Sequence, residues 1–269
     1  MERRKPLRLL CLLLTAALLL GSAAPVFADS LTEKEAVDLV FAHISNSFGG
    51  TAVPSSDKQA VPGYDDEQVI QYFVEVALYG EYEGYRGYLM RYESPVTYYV
   101  MGEPDGEDIR QLAKLAEALN DVPGYPGITQ TWNENEANIK VMFSEEIEYE
   151  SYFGVSVPNG SWGYSNVWFY TDPSMLGEIS NTYVWISNSA WPRLDRNSII
   201  CEEFIQGMGM LNDPEYGFYS IFDQHRNDCD WPSDLDWAVV YLLYDPRMER
   251  SASEAQIRET AQDILDSWK

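Results

Sequence analysis

Between Asp65 and Tyr79, the apolar residues Val69, Ile70, Phe73, Val76 and Ala77 recur at the three- and four-residue spacing of one helical face. Asp65 and Asp66 precede them, as suits a helix N-terminus. The same spacing carries Ile109, Leu112, Ala113, Ala116 and Leu119, which predicts a helix over Glu107 to Asn120. It also carries Ile257, Ala261, Ile264, Leu265 and Trp268, which predicts one over Ser253 to Trp268. Ile199 to Met208 and Ser233 to Tyr244 read as helices as well. Elsewhere the period shortens to two. Val96 to Gly102 is β-branched and aromatic, Ile139, Val141 and Phe143 alternate with polar or weaker positions, and Val167 to Thr171 and Thr182 to Asn188 complete the strand pattern. A strand, helix, strand unit followed by more strands and then helices predicts an α+β domain, a mixed sheet with packed helices.

Upstream, Ser30 and Thr32 each have a glutamate three residues on. They precede Ala36, Val37, Val40, Phe41 and Ile44, so a short amphipathic helix is expected there. Gly49 to Gly63 lacks periodicity and is rich in Gly, Pro, Ser and Asp, the composition of a linker. Further upstream, Arg3, Arg4, Lys5 and Arg8 lead into the apolar run Leu9 to Leu20, and Val26-Phe27-Ala28 offers small residues for cleavage. That is a signal-peptide pattern, too short in its apolar part to span a bilayer. The expected organisation is a signal peptide over 1–28, an N-terminal helix and linker over 29–63 and the main domain over 64–269. The protein is expected to be secreted or extracytoplasmic, with no membrane anchor after signal cleavage.

A formal net charge of −25 makes nucleic acid and anionic membrane surfaces improbable partners, because both are held by Lys and Arg. The chain has three cysteines, and Cys11 lies inside the signal segment. An even pair, Cys201 and Cys229, is left for an oxidising compartment, and a disulfide between them is expected.

The chemistry is concentrated in Ile200 to Asp213. Phe204, Ile205 and Met208 form an apolar helix side, Glu202, Glu203 and Gln206 a polar one, and Gly209 ends the helix. Glu202 and Gln206 stack at four-residue spacing, and a turn at Gly209 brings Asn212 or Asp213 back toward them. This layout resembles the metzincin segment H-E-x-x-H-x-x-G-x-x-H. Glu202, Gln206 and Asn212 stand where the three histidines would be, and Glu203 stands at the general base. Tyr219 to Phe222 is similar to the Met-turn of those enzymes, with Phe222 in the methionine position. Ser233 to Asp236, followed by Leu243-Tyr244-Asp245-Pro246, resembles their closing helix. Over about Asp65 to Arg247 the chain resembles the metzincin-like bacterial family known as domain of unknown function 2927, whose run E-E-x-x-Q-x-L-G-L-x-N-D reappears here with both leucines replaced by methionine. The resemblance implies a metzincin-like (zincin-like) fold with the motif helix under a cleft, and a degenerate zinc motif.

Catalytic zinc sites use three protein ligands, commonly imidazoles, and the whole chain has two histidines, His43 and His225, neither at a motif position. Three readings stay open. The first is a non-catalytic or cryptic-site binding module, a pseudo-peptidase that offers its cleft to a peptide, protein or glycan. The second is a metal-dependent, peptidase-like hydrolase with Glu203 as general base, in which Glu202, Gln206, Asn212 and Asp213 hold a hard divalent cation. The third is metal-free catalysis by Glu203 and Gln206. The first is preferred, with no cofactor expected. Trp162, Trp168, Trp185 and Trp191 flank the cleft-side strands as ligand platforms or as sheet packing. Tyr79, Tyr82, Tyr85, Tyr88 and Tyr92 leave the same choice open.

Overall fold

Five strands order themselves around one parallel unit. In the computed structural model, which describes residues 61–190, 193–215, 218–224 and 229–269, β3 (Val96–Gly102) leads through α2 (Gly106–Asn120) into β4 (Ile128–Gln130), which pairs parallel to β3. β5 (Ile139–Ser144) pairs parallel to the other side of β3, and β7 (Ile179–Ser187) parallel to β5. β6 (Gly163–Phe169) closes the edge antiparallel to β7, giving the order β4-β3-β5-β7-β6. Ahead of the sheet, α1 (Asp66–Leu78) runs into a small antiparallel hairpin, β1 (Tyr79–Gly80) and β2 (Gly84–Tyr85). The signal peptide, the N-terminal helix, His43, Trp191 and His225 lie outside the described residues.

Alternation along the strands divides the interior in two. Val141 and Phe143 of β5 and Val184 and Ile186 of β7 enter the main core, whereas Met142 and Trp185 face the opposite way into a smaller cluster with Tyr149 and Val157. Tyr149 belongs to α3 (Glu146–Phe153), where it is the one buried residue. That explains why the acidic run around it shows no helical period. On the main-core face, α2 packs on α4 (Arg193–Gln206), and α4 packs on β6 and β7. α1 packs on α5 (Asp234–Tyr244) and α6 (Glu254–Trp268). Among the described residues no helix is long and apolar enough to cross a membrane.

Local signals explain the boundaries. Asp65, Asp105, Ser233 and Ser253 each accept a hydrogen bond from the backbone of the first helical turn, and Gln68, Asp108, Asp236 and Gln256 return one, so α1, α2, α5 and α6 all start on capping boxes. α4 begins six residues before the expected Ile199, and the reason is tertiary. Arg193, Asp195, Arg196 and Asn197 show no apolar period, but Arg196 is buried and makes a two-pronged contact with Asp108, Nε to Oδ1 and Nη2 to Oδ2, both at 2.9 Å. Its Nη1 donates to the Ser187 carbonyl at the end of β7 (2.5 Å), and Arg193 also reaches Asp108 (2.5 Å). Burial works against the charged Asp108 carboxyl, but these hydrogen bonds hold it below its ordinary range. One carboxylate thus joins α2, α4 and β7.

The expected disulfide is corrected by the structure, in which no bond joins Cys201 to Cys229 and both are buried thiols. The Cys201 sulfur faces α2, where Gln111 Nε2 approaches it at 3.1 Å. Its own S–H points to the Asp230 carbonyl at 3.8 Å. Cys229 lies close enough to Tyr64 to affect its titration. Burial pushes the Cys201 thiol up to about 12, so it is an inert core residue.

Replacing Asp108 with Asn should leave the buried Arg196 guanidinium short of a counter-charge, whereas half-buried Arg193 keeps Asp105 and Glu107, and should cost about 3 kcal/mol of unfolding free energy. Urea titration followed by tryptophan fluorescence checks this, and a loss below about 0.5 kcal/mol would remove the carboxylate's assigned role as the joint between α2, α4 and β7.

Candidate functional site

Where α4 ends, the backbone turns at Gly209 with φ +116°, and a Cβ there would lie 1.8 Å from the Met90 carbonyl oxygen. Only glycine fits both the angle and the approach. Just before it, Gly207 packs on β7, and its carbonyl accepts from Thr182 Oγ1 at 3.0 Å. The chain then doubles back through Met210 and Leu211, and the Leu211 carbonyl accepts from the Glu81 N–H at 2.8 Å. The return therefore sets Asp213 beside α4 and pins the β1–β2 hairpin above it.

These elements enclose a cleft of about 350 Å³. α4 supplies its floor with Ile199, Glu202, Glu203 and Gln206, and β6 with the preceding Gly160–Trp162 segment forms one wall. The hairpin contributes Glu81 and Tyr82, and Asp213, Asp223 and Gln224 close the end. β6 can lie this close to the helix because residue 163 has no side chain. A Cβ on Gly163 would sit 2.5 Å from Glu203 Oε1 and 2.6 Å from the Ile199 methyl. The Ser165 hydroxyl completes the contact by donating to the Glu203 carbonyl at 2.5 Å.

Gln206 Nε2 donates to Asp213 Oδ1 at 2.5 Å, and Glu202 and Asp213 are hydrogen bonded through their side chains. Glu203 is 7% exposed, and its Oε2 is buried without a hydrogen-bond partner. Burial raises the Glu202 carboxyl well above the ordinary carboxylate range, and the charges of Asp213, Glu203 and Glu81 add to the effect. Burial and the charge of Asp213 do the same to Glu203 against an opposing hydrogen bond from Ser165. Asp213 is pushed up to about 7 by burial and Glu81, while hydrogen bonds from Gln206 and Glu202 pull the other way. Burial and mutual repulsion favour the neutral forms of these neighbouring carboxyls, and in the hydrogen bond between them the Glu202 carboxyl is the donor and Asp213 the acceptor.

The sequence-predicted residues divide accordingly. Glu202, Glu203, Gln206 and Asp213 come together on the cleft, whereas Asn212 is half-buried and is not among the lining residues. Phe222 is fully buried in the main core, and Asp223 directly after it reaches the cleft. The tryptophans separate as well. Trp185 is core, with its indole N–H donating to the Ser144 carbonyl (3.1 Å). Trp168 lies on Tyr183 (4.3 Å between ring centroids), and Trp162 stands in the cleft at 47% exposure. Tyr79 and Tyr85 pair across the hairpin, Tyr92 is buried on Thr182, and Tyr82 faces Tyr164 over the cleft. Glu81, Gly163 and Ser165 were not foreseen. The signals were present in the hairpin glycines Gly80 and Gly84 and in a glycine opening an otherwise aromatic strand.

Raised carboxyls fix the pH dependence of stability. The folded chain binds protons on Glu202, Glu203, Asp213 and also Asp236, which burial raises to about 6. Their stabilising contribution is full below the unfolded values near 4; that of Asp236 and Asp213 is lost as pH rises through about 6 and about 7, and Glu202 and Glu203 act in the same direction. Asp108 opposes this only below pH 4, where its lowered carboxyl is protonated. Unfolding free energy should therefore rise by roughly 2 kcal/mol or more from pH 8 to pH 5, and Asp213→Asn should flatten the rise. Denaturant titrations at pH 5, 6, 7 and 8 decide it, and a flat or falling profile in the unsubstituted chain would contradict the protonated floor.

Residues 66–263 match the model of a family described as protein of unknown function (DUF2927). No curated protein matches the chain. Because the match takes in the hairpin, the whole five-stranded sheet, α4 and its return, and the first two thirds of α6, the chain belongs to the DUF2927 family.

Proposed function

We propose that this protein is an exported binding module built on a metzincin-like scaffold, one that holds a ligand in its cleft and does not hydrolyse it. The observation that carries the reading is the engagement of the motif side chains with one another. Gln206 and Glu202 both hydrogen bond to Asp213, so two of the three positions that would face a metal are turned onto a neighbouring carboxyl, and the third, Asn212, is not among the cleft's lining residues. Among the described residues no group of three His, Cys, Asp or Glu side chains is arranged to hold a metal ion, which is consistent with a non-catalytic DUF2927 module. The scaffold assignment is supported by the mixed sheet with α2 packed on α4, by the glycine-terminated motif helix beneath the cleft, and by the Asp223 turn at its far end. Export rests on the signal-peptide pattern of residues 1–28.

The hydrolase reading keeps one observation on its side, the buried Oε2 without a partner on Glu203, the residue that the motif resemblance puts at the general base. A single experiment separates the two. The chain from Asp29 onward is incubated with a broad peptide mixture, with and without chelator and with added zinc, calcium or manganese, beside Glu203→Gln. The binding module predicts no cleavage under any condition. It also predicts a stability for Glu203→Gln within about 1 kcal/mol of the parent at pH 7, because burial favours the neutral carboxyl there and the amide is neutral as well. Cleavage that Glu203→Gln abolishes would establish the hydrolase.

A further inference from the structure

Six carboxyl side chains line the cleft against one guanidinium: Glu81 and Glu83 from the hairpin, Glu202 and Glu203 from α4, Asp213 from its return and Asp223 from the following turn, with Arg86 opposing them. Arg86 Nη2 donates to the Tyr79 carbonyl (2.5 Å) and the Ala77 carbonyl (3.3 Å), whereas its Nε and Nη1 are buried with no hydrogen-bond partner among the described residues, so one positive charge stands against the six acids. Glu203 lines the cleft and carries one carboxyl oxygen, Oε2, that is buried and accepts from no described donor, so a ligand N–H that reaches the floor finds an unpartnered acceptor there. Above the acidic floor stand aromatic faces. Trp162 is 47% exposed and Tyr82 58% exposed, and Tyr164 lies edge-on to Tyr82 at 6.4 Å. The Trp162 carbonyl accepts from the Ser187 N–H at 2.9 Å, so that rim is tied to the sheet.

An acidic floor with an aromatic rim selects among cations. A metal ion demands at least three donors converging on one point a little over 2 Å from each, and the described carboxyls are not grouped that way. A flat or tetrahedral organic cation carries its charge on several N–H groups, each of which finds a separate oxygen, and its alkyl stem and charge lie favourably on aromatic faces.

We propose that this cleft binds an organic cation, the ammonium or guanidinium group of a lysine or arginine side chain of a peptide, with Glu203 and Asp213 receiving its N–H groups and Trp162 and Tyr82 flanking its stem. The proposal rests on the reading of the cleft as a binding site and names what it binds. It carries a proton signature. The arriving charge stabilises the ionised forms of Glu202, Glu203 and Asp213, with Glu81, Glu83 and Asp223 adding to it and Arg86 opposing, so binding releases protons and tightens as pH rises from 6 to 8.

The test is calorimetric titration of the chain from Asp29 onward with Nα-acetyl-lysine methylamide and Nα-acetyl-arginine methylamide. The uncharged norleucine analogue, calcium chloride and zinc chloride are titrated beside them, each at pH 6 and pH 8 in two buffers of different ionisation heat. The expected result is binding of one or both basic analogues at least about tenfold tighter than norleucine, stronger at pH 8, with proton release. Glu203→Gln should weaken it about tenfold or more, and Trp162→Ala by about two- to fivefold. Glu81→Gln on the exposed hairpin should weaken it as well, and together with Trp162→Ala it keeps the test meaningful if the buried variant fails to fold. Equal affinity for norleucine, no binding of either basic analogue, or stoichiometric metal binding that excludes them would overturn the proposal. A silent titration with peptide cleavage still absent overturns the cation alone, whereas cleavage abolished by Glu203→Gln overturns the binding-module reading as well.

Discussion

The site depends on a backbone approach that leaves no room for a side chain. Gly209 turns the chain against the Met90 carbonyl, and everything after it inherits its direction from that contact. The returning segment places Leu211 where it holds the hairpin through Glu81, and sets Asp213 against Glu202 and Gln206. Gly163 makes the matching concession on the opposite wall, where the bare backbone of β6 lets the Glu203 carboxyl lie against the strand. Two missing side chains thus position three carboxyls, and the depth at which they lie favours their protonated forms.

Burying those acids runs against the usual economy of a fold, in which charge stays in water. This molecule offsets the cost in two different ways. At Asp108 the carboxyl stays charged because Arg196 and Arg193 meet it in a buried, two-pronged contact that also captures the end of β7. At the cleft no arginine performs that service, and the acids keep protons instead. One solution serves architecture, fastening α2 and α4 to the sheet. The other leaves a site whose charge changes when a cation or a base arrives, and that is a property of a binding surface more than of a core.

The polar chain from Tyr72 through Ser220 to Asp236 shows the architectural solution again without any cation. Ser220 Oγ donates to Asp236 Oδ1 at 2.5 Å, and the N–H groups of Ser233 and Ile221 donate to Oδ2 at 2.7 and 3.2 Å. Backbone donors satisfy this carboxyl, and the turn carrying Phe222 is thereby clamped onto the start of α5. Asp223 reaches the cleft from that clamped turn, so the far end of the site is set by a network that never touches it.

Periodicity alone determined most of the elements. The apolar faces of α1, α2, α5 and α6, the capping residues that start them, and the alternation of β3 and β5 follow from steric and burial rules acting within a few residues, and the sequence carries those rules openly. The grouping of Glu202, Glu203 and Gln206 on one helix side was legible for the same reason. The tertiary structure decided what local spacing cannot contain. The first turns of α4 are helical because Arg196 pairs with an aspartate 88 residues away, and α3 forms on a single buried tyrosine. Cys201 and Cys229 remain thiols although their count suggested a bridge, because Cys201 is directed to Gln111 and the Asp230 carbonyl. Asp213, not Asn212, meets the motif helix, and Glu81 joins it from a hairpin more than a hundred residues upstream. Which of two adjacent polar residues returns to a helix face depends on the exact pitch of the turn at Gly209, and that pitch is set by the Met90 carbonyl, a neighbour the local sequence does not reveal.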